Sequence, residues 1–190
     1  VTRLILASGS PQRRAILTQL GLEFDVDVAD VPELEAGDPV EVVIENARRK
    51  ARAVGDRRGR VPGELVLAVD TEVHLDGEIF GKPADAADAR AMLGRLNGRT
   101  HEVHSGAVLI RGAEEDTVHD VTRVTFRTLT DAQLDAYVAT GEWEGRAGAF
   151  AIQLRGGALI RRIEGDYLNV VGLPLAALLD AAPELTQAAR

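Results

Sequence analysis

Four stretches of the chain hold residue types that can handle charge in a directed way. In Ser8-Gly9-Ser10-Pro11-Gln12-Arg13-Arg14 an apolar run gives way to small residues and then to a helix start. Such a junction aims unpaired backbone N–H groups and the positive end of a helix dipole at one spot, which makes an anion site. Arg13 and Arg14 fall in the first helical turn, where the dipole disfavours cations, so an anionic partner is expected; two solvated arginines behind an ordinary cap are the plainer alternative. The pattern G-x-x-x-x-G-K-[ST] is absent, so this is no P-loop.

The second stretch is the apolar run 65–69 closed by Asp70. It predicts a carboxylate at the carboxyl end of a buried strand, where α/β proteins place ligand groups, able to hold a divalent cation or orient a water. The alternative is an aspartate that only caps the following turn. Glu33 offers a second carboxylate, though taken alone an exposed loop acid is the plainer reading. The third stretch, Gly81-Lys82-Pro83, fixes the backbone around a lysine and so predicts a positioned cation. Lys50, beside the apolar stripe of its own helix, reads first as a snorkelling side chain. The fourth comprises residues 146–153 and 165–174, where small residues permit close approach of backbone to a ligand or strand. Gln153, within it, could read a base edge through its amide.

Composition removes much other chemistry. The 190 residues include no cysteine, which excludes disulfides, thiol nucleophiles, thiolate zinc sites and iron–sulfur clusters. His101 and His104, three apart on a predicted strand, face opposite sides and cannot share a metal; His74 and His119 show no matching partner in the sequence. With 22 basic against 30 acidic residues the net charge is -8, which argues against duplex nucleic-acid binding. The first apolar stretch stops at Ala7, and the longest, 170–179, is broken by Gly172 and Pro174, so no membrane span is expected and a soluble, cytoplasmic protein is.

These residues need elements to position them. Residues 3–7 read as a buried strand; Ser10 and Pro11 start a helix that Gly21 ends. Residues 24–28 alternate as a half-exposed strand. Asp38-Pro39 opens a second helix that keeps its period to Gly55. Asp76-Gly77 signals a hairpin, Asp85 a capped helix ending at Asn97-Gly98, and two strands follow near 100–110 and 117–128. Thr130 caps a further helix, Gly-rich strands are predicted over 147–164, and Pro174 opens a last helix. The interleaving predicts an α/β fold with a mixed central β-sheet flanked by helices, short of a strict βαβ series.

The stretches 4–14 (LILASGSPQRR), 45–51 (ENARRKA), 68–83 (AVDTEVHLDGEIFGKP), 126–131 (FRTLTD), 146–153 (RAGAFAIQ) and 165–174 (GDYLNVVGLP) together resemble the Maf family of nucleoside triphosphate pyrophosphatases, in family order along nearly the whole chain. The resemblance implies a Maf/ITPase-like single domain over 1–190, with two lobes and a cleft between them. It also implies hydrolysis between the α- and β-phosphates of a nucleoside triphosphate with Mg²⁺ or Mn²⁺, by a homodimer. Carried over by position, Ser8, Arg13, Lys50, Thr71 and Gln153 would bind substrate. Asp70 would be general base or metal ligand, with Glu33 the second acid, and Lys82 would act on the phosphates. Thr71 and Gln153 resemble the branch acting on dTTP and UTP; Gln12 and Leu154 depart from that branch's usual residues, and Glu72, in place of a usual apolar residue beside Asp70, either adds a third acid or points outward. The competing expectations are a 7-methyl-GTP pyrophosphatase and a nucleotide-binding regulator of cell division without turnover.

Overall fold

The computed structural model describes residues 3–187. Its elements run β1 (Arg3–Leu6), α1 (Pro11–Gln19), β2 (Phe24–Val26), α2 (Pro39–Arg57), β3 (Glu64–Leu75), β4 (Glu78–Phe80), α3 (Ala86–Leu96), β5 (Thr100–Arg111), β6 (Glu114–Phe126), α4 (Asp131–Val138), β7 (Ile160–Glu164), α5 (Tyr167–Val171), α6 (Leu175–Ala181) and α7 (Glu184–Gln187). The seven strands form one mixed sheet in the order β2-β1-β3-β5-β6-β7, with β4 paired to β3 off that path. β2, β1 and β3 are parallel; β3, β5, β6 and β7 are antiparallel. No helix among the described residues is long and apolar enough to cross a membrane.

The local chemistry explains most boundaries. Ser10 accepts from the Arg13 N–H at the start of α1, and Asp38 accepts from the Val40 and Glu41 N–H groups at the start of α2, with Pro11 and Pro39 in the positions that need no N–H. Thr130 and Gln133 close a reciprocal capping box on α4. Asp76 and Gly77 both take positive φ, as the tight β3–β4 hairpin requires.

Period-2 alternation then sorts side chains to the two faces. Val66, Ala68, Val108 and Ile110 meet Ala47, Ala51 and Val54 of α2 on one face. Leu65, Leu67, Val69 and Leu109 meet Ile16 and Leu17 of α1 and Leu175 and Leu178 of α6 on the other. Further along β3, Val73 and Leu75 join Val103, Val124 and Phe126 under Leu93, Leu96 and Leu134 of α3 and α4. Gly106 lets α2 lie hard against β5: a Cβ there would come within 2.6 Å of the Val43 backbone.

Three sequence expectations are corrected. β3 does not end at Asp70; it continues to Leu75, because Thr71–His74 go on pairing with β5 and Val73 and Leu75 remain buried. Of residues 147–164, predicted as Gly-rich strands, only 160–164 form one. Two 3₁₀ turns, Ala147–Ala149 and Arg155–Leu159, precede the single strand β7, with Gly148 at φ 66 where a Cβ would strike Val73. Pro174 does precede a helix, α6, but that helix is flanked by α5 and α7 and is not the last.

Candidate active site

The sheet itself makes the opening. On one edge of β3, β1 pairs as far as Leu67 and β4 begins again at Val73, so no strand among the described residues covers residues 68–72 on that side. A cavity of about 500 Å³ fills the gap. Because the edge is free, residues from both faces of β3 line it: Asp70 and Glu72 from the α2 face, Thr71 and Val73 from the other. Asp70 is thus a buried mid-strand residue that reaches the cavity at a break in pairing, not at a strand end.

On the acid side, Lys50 holds the group together. Its Nζ lies 2.7 Å from Asp70 Oδ1 and 2.7 Å from Glu33 Oε1, so one ammonium bridges two carboxylates that are far apart in sequence. Lys50 does not snorkel: it is turned inward along the α2 stripe. Asn46, one turn earlier on that stripe and fully buried, donates to Asp70 Oδ2 at 3.0 Å. The same amide accepts from the Leu34 N–H at 2.7 Å and donates to the Leu34 carbonyl at 3.0 Å, tying down the loop that carries Glu33. Glu72, two residues beyond Asp70, is largely buried and its Oε2 has no hydrogen-bond partner among the described residues. Burial, reinforced by the Asp70 charge, pushes its carboxyl up to about 8.

On the cation side, the Arg13 guanidinium is fixed by three oxygens. Nη1 donates to Ser8 Oγ at 2.9 Å, Nε to the Gly172 carbonyl at 2.8 Å and Nη2 to Thr71 Oγ1 at 3.2 Å. Burial pulls its pKa down, while the charges of Asp70, Glu33 and Glu72 act in the opposite direction. Thr71 also shares a hydrogen bond of 2.8 Å with the buried Ser105 hydroxyl. Lys82 enters from the β4 end, where the Gly148 N–H donates to the Gly81 carbonyl at 3.1 Å and fixes the loop. Among the described residues Lys82 makes no ion pair within 4.0 Å, and the buried Arg146 Nε has no partner.

The eight residues to which the resemblance gives site roles, Ser8, Arg13, Glu33, Lys50, Asp70, Thr71, Lys82 and Gln153, all line this one cavity, whereas Arg14, singled out beside Arg13, is exposed and does not. Asn46 and Ser105 were missed. Asn46 carried a signal, since an amide on an otherwise apolar helical stripe must find buried partners. Ser105 did not, because its role depends on the β3–β5 register that sets it opposite Thr71. The expectation that His74 and His119 lack partners is corrected: His104 sits between them, its Nδ1 3.1 Å from His119 Nε2 and its ring 5.9 Å from that of His74. Strand register brings the three together, which spacing along the chain does not reveal.

The cavity sets four acids (Glu33, Asp70, Glu72, Glu144) against four cations (Arg13, Lys50, Lys82, Arg146), the lining of a site for a polyanion handled with carboxylates. The class this defines is an α/β protein with a mixed-charge cavity at a break in its sheet. The chain belongs to the Maf family: residues 3–185 match the family described as Maf-like protein. It is 52% identical to a protein named dTTP/UTP pyrophosphatase from Symbiobacterium thermophilum, covering 91% of this chain and 89% of that one. It is 48% identical to another of that name from Myxococcus xanthus, covering 95% and 93%. A solved structure described as a nucleoside-triphosphatase / dITP/XTP pyrophosphatase from Mycobacterium abscessus aligns with TM-score 0.49 and 20% identity over 66% of this chain and 74% of that one.

Proposed function

We propose that the protein hydrolyses dTTP and UTP to the monophosphate and pyrophosphate in the cytoplasm, as a homodimer. The observation that carries this is the Lys50-bridged Asp70–Glu33 pair facing the Ser8–Arg13 cradle across one cavity, in a chain about half identical to relatives bearing that activity in their names. In this reading Asp70, oriented by Lys50 and Asn46, accepts the proton of a water whose oxygen attacks the α-phosphorus. Each carboxylate oxygen keeps a lone pair beyond those two contacts, so the base function is open to it. The bond from the α-phosphorus to the bridging oxygen breaks, and pyrophosphate leaves with its charge met by Arg13, Lys82 and the N–H groups at the start of α1. Thr71 acts through Arg13, which it holds, and Gln153 meets the base.

The oxygen donors suit a hard divalent cation, Mg²⁺ or Mn²⁺. Asp70 and Glu33 would hold it, with Glu72 Oε2, which has no hydrogen-bond partner among the described residues, on the same cavity wall. Such an ion supplies charge neutralisation on the phosphate oxygens.

The test is pyrophosphate release from dTTP, UTP, CTP, GTP and 7-methyl-GTP with Mg²⁺ or Mn²⁺, beside an Asp70→Asn sample. Release from dTTP and UTP that the variant loses is the expected result. Turnover of 7-methyl-GTP alone would overturn the base assignment; nucleotide binding without turnover would overturn the enzyme.

A further inference from the structure

We propose that His74, Glu102 and His104 form a site for a divalent transition-metal ion, distinct from the Asp70–Glu33 pair, with the cavity's Glu72 directly opposite His104 in the β3–β5 register. None of the three lines that cavity. The sheet register builds the cluster: His74 on β3 lies directly opposite Glu102 on β5, and His104 follows Glu102 by two residues, so all three project from the same face. One ligand atom from each falls within 4.8 Å of the other two. The Glu102 Oε2 to His104 Nε2 distance is 3.3 Å, and the His74 and His104 rings meet edge to face.

The surroundings favour a ligand over a chance meeting of side chains. α2 covers this face of β5 from Ile110, beside Gly55, to Gly106, beside Val43, and has only one further turn before its start at Pro39. His74 and Glu102 are partly exposed and His104 is buried, an arrangement with a rigid inner ligand and an approach from solvent. His104 Nδ1 is engaged by His119 Nε2 at 3.1 Å, which orients the ring and leaves Nε2 facing Glu102; ligating histidines characteristically have their second nitrogen held in this way. Two imidazole nitrogens and one carboxylate oxygen make a donor set for Zn²⁺ and its neighbours, with a fourth position left for water, and a poor one for Mg²⁺.

The experiment is equilibrium dialysis of the chelator-treated full chain against Zn²⁺, with the thermal midpoint measured on the same samples. One zinc per chain, a raised midpoint and no displacement by excess Mg²⁺ are expected. The partly exposed His74→Ala and Glu102→Gln, checked for folding by circular dichroism, should each weaken binding at least about 10-fold, and His119→Ala by about 10-fold. Asp70→Asn should bind zinc as the parent does. Zinc lost in Asp70→Asn but kept in His74→Ala would place the metal on the cavity carboxylates and overturn the proposal. So would the absence of binding, or several weak equivalents indifferent to all four substitutions.

Discussion

The two ends of β3 treat buried polar groups in opposite ways. Under α2, every side-chain polar atom of the fully buried Asn46 and the buried Asp70 has a partner, from Leu34, Lys50 or each other. Beyond Thr71, the buried atoms without partners gather: Glu72 Oε2, both nitrogens of His101, Glu142 Oε2, Arg146 Nε and Asn169 Oδ1. Buried polar groups are normally paired, so an uneven distribution carries information. The covered half is organised before any ligand arrives, whereas Glu72 and Arg146 in the distal half face the cavity and have bonds still to make. Pre-organisation of the acid centre and completion by ligand of the distal wall are therefore divided along a single strand.

The strongest way to break this comparison is to neutralise the two β3 carboxylates separately. Asp70→Asn should lower the turnover number by about 10²- to 10⁴-fold, the range for a general base. Glu72→Gln should lose far less, since nothing in the fold orients that carboxylate. Equal losses in steady-state pyrophosphate release would erase the distinction. Next in size is Asn46→Ala, which strips the Leu34 N–H and carbonyl of their partners and should cost about 3 kcal/mol in urea unfolding. Asn169→Ala, removing an amide already half unpaired, should cost less, and the reverse order would count against the contrast.

Gly106→Ala probes the cover itself. Its Cβ would lie 2.6 Å from the Val43 carbonyl, so α2 must shift, at about 1–3 kcal/mol of stability. Because Asn46 and Lys50 ride on the same helix, the turnover number should fall along with the unfolding midpoint. A stability loss with unchanged turnover would show that the acid centre does not depend on the seat of α2.

How much of this was legible beforehand follows from what each residue depends on. The caps of α1, α2 and α4 and the β3–β4 turn are local, fixed by Ser10, Asp38, Thr130 and Asp76-Gly77 with their near neighbours, and they read directly from the chain. The eight cavity residues were legible from their types and from the family resemblance, because those residues are what the family pattern marks. Hidden were features created by register: the continuation of β3 past Asp70, the Thr71–Ser105 pair and the His74–His104–His119 row. Residues 147–159 misled for a related reason, since small residues suit both close strands and tight turns, and the contact of Gly148 with Val73 decides between them.

The smallest expected effect tests whether the distal core, for all its unpaired atoms, is sealed from water. Tyr137 is 5% exposed, and its hydroxyl accepts from the Ala151 N–H at 3.0 Å. Burial outweighs that hydrogen bond and pushes the phenol up to about 12 from its usual 10. The folded protein therefore holds the proton more tightly than the unfolded chain does. The associated stability is complete below pH 10 and declines as pH rises through 12, amounting to about 1 kcal/mol by pH 11. Urea unfolding between pH 9 and pH 11 should show this slope, and Tyr137→Phe should flatten it while losing about 1 kcal/mol at neutral pH for the Ala151 N–H left without an acceptor. An unchanged slope in the variant would mean that the phenol titrates as it does in water, and that the unpaired atoms around it are open to solvent and do not await a ligand.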